Sequence, residues 1–194
     1  MVIGLVAGGV AIFVAQVIVG GVLSEWLGVD EENFRIEIPD RAAGMTLSKS
    51  DRRAADFLKG GKADLEKSAE SKLKTLKAGV YKGKNSKGHD VAVLFYGGHG
   101  KIADGYLRIT VRDDGSKIPE SEIKKVAAGW AGEGACSPVS ASNVVCTWTT
   151  ETSFGTVWPI ENPEAVVGPT TPHTTVKEAA ELMRKFREDV EKDA

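Results

Sequence analysis

Two cysteines, one histidine in a glycine run and a few scattered carboxylates are the side chains here best suited to chemistry. Cys136 and Cys146 lie ten residues apart, with Ser137-Pro138 and residues 140–143 supplying turn formers between them. Three chemistries are open to such a pair: a disulfide closing a hairpin, two buried thiols, or half of a metal site. Zinc needs two further ligands, and no second Cys or His pair has suitable spacing. A disulfide is the expected form, worth roughly 3 kcal/mol for so short a loop on the chain-entropy model. It requires an oxidising compartment.

His99 stands in Gly97-Gly98-His99-Gly100, directly after the most apolar stretch of the body. Glycine lets a ligand approach the backbone, and strand exits often carry function. With His89, Asp90, Asp104 or His173 folded nearby, His99 would join a His–carboxylate set of the kind metal hydrolases use. The simpler expectation is an exposed glycine-rich turn with a surface histidine. No Walker-type Gly-Lys-Ser/Thr follows, and Asp113-Asp114-Gly115 is too short for a calcium loop. A Gly-x-Ser-x-Gly nucleophile elbow is absent. Trp148 and Trp158 fall on alternating strands and are expected in the core. No catalytic residue, cofactor or metal ligand is assigned.

The elements that would position these residues begin with a hydrophobic run. Residues 1–23 hold no charged side chain, and Gln16 is the only strongly polar one before Glu25. About 20 apolar residues span the ~30 Å hydrocarbon layer as a helix. A cleaved signal peptide is the alternative, but no Lys or Arg precedes the run. Residues 1–24 are read as a retained anchor. Gly4 and Gly8, continued by Ala11 and Ala15, are small residues at the spacing that lets two membrane helices approach closely. They are the candidate helix-association face. The flank after the run is acidic before Arg35, so charge orients the chain only weakly, with its bulk outside. The cysteine pair leans the same way.

Residues 25–46 read as a juxtamembrane tether, with a short edge strand at Ile36 and Ile38. Residues 47–194 read as one extracytoplasmic α+β domain, an antiparallel sheet with helices packed on one face. From Ser50 a helix carries Ala54, Phe57 and Leu58 until Gly60-Gly61 breaks it. Leu65, Ala69, Leu73 and Leu76 then recur at helical spacing. Residues 91–96 are apolar on both faces, as a central strand should be. Residues 106–112 alternate, and Pro119, Ile123, Val126 and Trp130 fit one helical face. Val144, Cys146 and Trp148 share one face of a strand, and residues 154–158 return beside it. Thr175 and Glu178 make a capping box ahead of a stripe of Val176, Ala179, Met183, Phe186 and Val190. That stripe reads as a core face.

Several of these residues together resemble a known set of sequences. The apolar strand ending in Gly97-Gly98-His99-Gly100, Cys136, Cys146-Thr147-Trp148 and Gly155-Thr156-Val157 are similar to uncharacterised actinobacterial single-pass membrane proteins. Those proteins carry one membrane helix and a small exported domain, and the similarity spans roughly residues 34–191. Many of them have an Ala-Asp pair where this chain has Thr149-Thr150. The resemblance implies an anchored, disulfide-bonded topology and transfers no catalytic residue.

The net charge of -2 and a pI near 6.0 exclude nucleic-acid binding by overall basicity. The expected function is a non-enzymatic extracytoplasmic module at the plasma membrane that binds a partner or senses the envelope. Its expected partners are lipid through residues 1–24 and a protein or second copy; no nucleic acid and no cofactor is expected. The alternatives are an accessory subunit of a larger membrane complex, or a small envelope enzyme centred on His99. Extraction from membranes should require detergent, and deleting residues 1–24 should yield a soluble folded domain. Release of the intact chain by high salt alone would contradict the anchor.

Overall fold

A strand that is apolar at every position has to be covered on both faces. Residues 91–96 meet that condition, and the whole fold is arranged around them. The computed structural model describes residues 34–69, 72–85, 88–102, 115–141, 143–160 and 174–193. The apolar run with Gly4, Gly8, Ala11 and Ala15 lies outside these residues, as do residues 106–112. Among the described residues no helix is long and apolar enough to cross a membrane.

The strands are β1 (Phe34–Ile36), β2 (Arg41–Ala42), β3 (Met45–Leu47), β4 (Lys72–Lys84), β5 (Asp90–Lys101), β6 (Lys124–Val126), β7 (Glu133–Pro138), β8 (Val144–Thr149), β9 (Ser153–Ile160) and β10 (Glu191–Asp193). Two helices, α1 (Arg53–Ala69) and α2 (Val176–Val190), complete the described elements with a 3-10 turn at Glu120–Glu122. Eight strands form one sheet in the order β2-β3-β4-β5-β9-β8-β7-β6, every neighbour antiparallel. β1 pairs with β10 as a separate two-stranded sheet. Phe34, Ile36, Ala42 and Met45 are buried, so residues 34–46 of the stretch read as a tether join the folded body.

The α+β class stands, but the helices do not share a face. Side chains alternate along a strand, and β5 sends Val93 and Phe95 one way and Leu94 and Tyr96 the other. The first pair packs with Tyr81, Cys146, Trp148, Val157 and the α2 residues Ala179, Met183, Phe186 and Val190. The second packs with Val80, Phe154 and, from α1, Ala54, Phe57 and Leu65. Each face has its own helix. Under α2, Tyr81, Phe186, Phe95 and Trp148 form a file of rings with centroids 5.2, 5.8 and 5.9 Å apart. On the other face Phe57 meets Tyr96 at 4.3 Å.

Local chemistry explains where the elements start. Thr175 accepts from the Glu178 N–H while the Glu178 carboxylate accepts from the Thr175 N–H, the expected capping box. Ahead of α1, Asp51 accepts from the Arg53 backbone N–H and ion-pairs its guanidinium at 2.7 Å. Arg53, with Lys82 nearby, holds the Asp51 carboxyl down at about 2 against desolvation.

Three expected elements are corrected. α1 runs through Gly60-Gly61 without a break, because the Phe57 ring lies where a side chain at 61 would project, 3.2 Å from a Cβ built there. Tertiary packing outweighs glycine's helix penalty of about 1 kcal/mol. Leu73 and Leu76 belong to β4 and not to a helix. A bulge between Leu73 and Thr75 inserts Lys74, so Leu73, Leu76, Ala78 and Val80 share one face. A strand bulge thus produced a helix-like spacing of three. Residues 119–130 form the 3-10 turn and β6, with Ile123 and Val126 packed into different clusters and Trp130 exposed.

The C-terminal end of α2 is held by a buried charge. Arg187 is fully buried, and its Nε donates to the Glu191 carboxylate. The other oxygen of Glu191 accepts from Trp148 Nε1 at 3.2 Å and from Ser153 Oγ. Arg187 Nη1 donates to the carbonyls of Ala128 and Ala131, and the Trp130 ring covers the guanidinium at 4.5 Å. Arg187→Met should cost about 3–5 kcal/mol in denaturant unfolding, because it strands the Glu191 charge. Adding Glu191→Gln should recover much of that loss. A single-variant cost under about 1 kcal/mol would contradict a stabilising role for the pair.

Candidate functional site

The glycine run around His99 is strand, not turn. β5 continues through residues 97–101 between β4 and β9, with His99 in register with Thr75 and Ser153. A Cβ at Gly97 would lie 2.6 Å from the Phe154 carbonyl oxygen, and at Gly98 2.2 Å from that of Thr75. One at Gly100 would lie 2.2 Å from the Lys72 carbonyl oxygen. These glycines let three backbones close up around the β4 bulge.

His99 is therefore partly buried instead of exposed on a turn. Its Nδ1 stands 2.6 Å from the Thr75 hydroxyl, so the ring is already engaged. Burial first, then the charges of Lys74 and Lys77, push its pKa below the ordinary 6.5 and keep it neutral at pH 7. The two other candidates among the described residues are not gathered around it. His89 and Asp90 sit at the opposite end of β5, about 30 Å away by strand rise. Asp104 and His173 lie outside the described residues. Among the described residues no group of three His, Cys, Asp or Glu side chains converges.

Cys136 and Cys146 are joined as a disulfide, directly opposite one another on β7 and β8. Their Cα atoms are 4.1 Å apart, the spacing of a non-hydrogen-bonded cross-strand pair. Both are fully buried in the core under α2, beside Trp148. Trp148 also takes its expected place there, made possible by Gly155, where a Cβ would meet the indole at 2.1 Å. Trp158 packs part-buried on the opposite face.

One concave feature was not legible in advance. A cleft of about 140 Å³ opens between α2 and the β3–β5–β9 margin of the sheet. Met45, Val91, Val93, Pro159 and Leu182 supply its apolar lining. Its polar rim divides into used and unused groups. Lys84 pairs with Asp90 at 2.9 Å, Asn85 Oδ1 accepts from the His89 N–H, and Glu178 is spent in the capping box. The Glu181 and Lys185 side chains carry no hydrogen bond or ion pair among the described residues. The sequence signal for this site is their four-residue spacing on the polar side of α2, a pattern shared by many surface helices.

No family model, curated protein or solved structure matches the chain. The arrangement of the site itself carries the functional argument.

A neutral, hydrogen-bonded His99 makes stability depend on pH. Its folded pKa lies below its unfolded value, so the unfolded chain takes up the proton first as pH falls. The stability it contributes should be complete above about pH 6.5 and be lost as pH falls through the folded value. Urea midpoints measured between roughly pH 5 and 8 should show this fall, and His99→Gln should flatten it. Identical pH profiles for the two proteins would rule out the neutral buried imidazole.

Proposed function

We propose that this chain is a membrane-anchored, extracytoplasmic binding module that senses or captures a component of the cell envelope. The buried Cys136–Cys146 bridge carries the reading. A disulfide formed across adjacent strands and sealed under a helix persists in an oxidising compartment. The charge-free run of residues 1–23 supports tethering of the domain to the membrane that bounds such a compartment. Engagement of His99 by Thr75, with strand packing as the use of its glycines, supports binding in preference to an enzyme built on that histidine. The α2 cleft supplies a surface for the binding.

Thiol labelling of native membranes tests the location. Neither cysteine should react before reduction under denaturing conditions, and both should react after it. Cys136→Ser should lower stability by about 2–5 kcal/mol, the range for removing a native bridge from a small exported domain. The Cys136→Ser/Cys146→Ser double variant should cost little more, because the bond is already gone. Full labelling without reductant would overturn the extracytoplasmic assignment.

A further inference from the structure

The cleft beside α2 combines an apolar lining with two opposite charges that nothing in the described structure uses. Glu181 and Lys185 are four residues apart on α2, one turn or about 6 Å along the axis. An exposed pair at this spacing usually gains a few tenths of a kcal/mol by closing on itself. Here the two side chains stay apart at the rim while every other charged lining group has a partner. Leu182 lies between them in sequence and contributes to the apolar wall with Pro159, Val91 and Met45. A volume of about 140 Å³ suits a group about the size of a benzene ring, so it can seat a ligand's apolar side chain while the ligand's charged end stays at the rim.

We propose that the cleft binds a small zwitterion with an apolar side chain, of the chemical class of the free branched or aromatic amino acids. The ligand's ammonium pairs with Glu181, its carboxylate with Lys185, and its side chain enters between Leu182, Pro159 and Val91. A neutral apolar molecule would leave both charges unanswered, and a simple anion or cation would leave one. The assignment rests on the binding-module reading and names its ligand class.

Isothermal titration of the full chain with leucine, isoleucine and phenylalanine tests it. At least one should bind saturably, one per chain, with a dissociation constant roughly millimolar or tighter. Glycine, which lacks the apolar body, should not bind. For the amino acid that binds, its N-acetyl and amide derivatives should each bind about tenfold more weakly, having lost one charge-assisted contact. Glu181→Gln should weaken the parent amino acid about tenfold and leave the N-acetyl form unchanged. Lys185→Gln should do the same for the parent and leave the amide form unchanged. Both positions are exposed helix surface, so the fold should tolerate the changes, and circular dichroism checks that. Failure of all three amino acids to bind, or binding that neither substitution weakens, overturns the proposal. Thiol labelling reports on location alone, so cleft and compartment can fail separately.

Discussion

A guanidinium with no exposed surface is the constraint on which the α2 side of the molecule depends. Moving a charge out of water costs several kcal/mol unless a counter-charge and hydrogen bonds replace the solvent. Arg187 meets most of that demand with Glu191, the Ala128 and Ala131 carbonyls and the Trp130 ring, leaving only its Nη2 without a hydrogen bond among the described residues. The partners lie on two separate pieces of chain, the 128–131 loop and the start of β10. The pair consequently fixes where α2 ends, where β10 begins and how the 128–131 loop folds back. Glu191 extends the network to Trp148 on β8 and Ser153 on β9. A core of hydrocarbon alone would tolerate α2 sliding along the sheet; a buried pair with directional partners does not.

The sheet beneath accepts this helix because β5 and β9 trade side-chain bulk for close approach. Gly97 and Gly155 are cross-strand partners on the α2 side. The Phe95 ring lies 3.0 Å from the position a Cβ at 97 would take, and the Trp148 indole fills the space above Gly155. Two glycines thus make the hollow into which the largest aromatic side chains fit. The disulfide locks the next two strands at the same level, so Trp148 is bounded by covalent, ionic and steric contacts together. Tyr81 closes the far end of the ring file, its hydroxyl donating to the Pro39 carbonyl at 2.9 Å. Its pKa is pushed up by burial, then by Asp189 and Asp40, which keeps that donor protonated.

Where sequence reading succeeded, one signal dominated the local structure. The unbroken apolar run required a two-sided strand, the Thr175–Glu178 spacing required a helix start, and Cys136 and Cys146 flanked turn residues at hairpin distance. It failed where one extra residue disguised a period. Lys74 in the β4 bulge converts an alternation of two into a step of three, and Leu73 and Leu76 then read as helix. Gly97-Gly98-His99-Gly100 misled for a different reason. Glycine serves turns and tightly packed strands equally, and only the nearby Phe154, Thr75 and Lys72 carbonyls decide between them. Ser153 and Trp130 gave no local signal at all, because their roles come from partners dozens of residues away.

α2 shows the same limit within a single helix. It carries Glu181 and Lys185 four residues apart, and Arg187 lies four residues before Glu191 at its end. The first pair has the acid nearer the N-terminus, the order that suits an isolated helix; the second has the reverse. Intrinsic preference would therefore close the first pair and leave the second open. The structure does the opposite, and the reason is angular position. Arg187 follows Met183 by four residues and Phe186 by one, on the stripe that meets the sheet, where an unpaired charge is not tolerated. Glu181 and Lys185 stand at the solvent margin of the same helix, where splitting them costs little. A buried position forces a pair to satisfy itself, and an exposed one leaves both charges available to a ligand. One helix can in this way hold the fold at its C-terminal end and offer a charged rim earlier in its length, using the same residue chemistry for both.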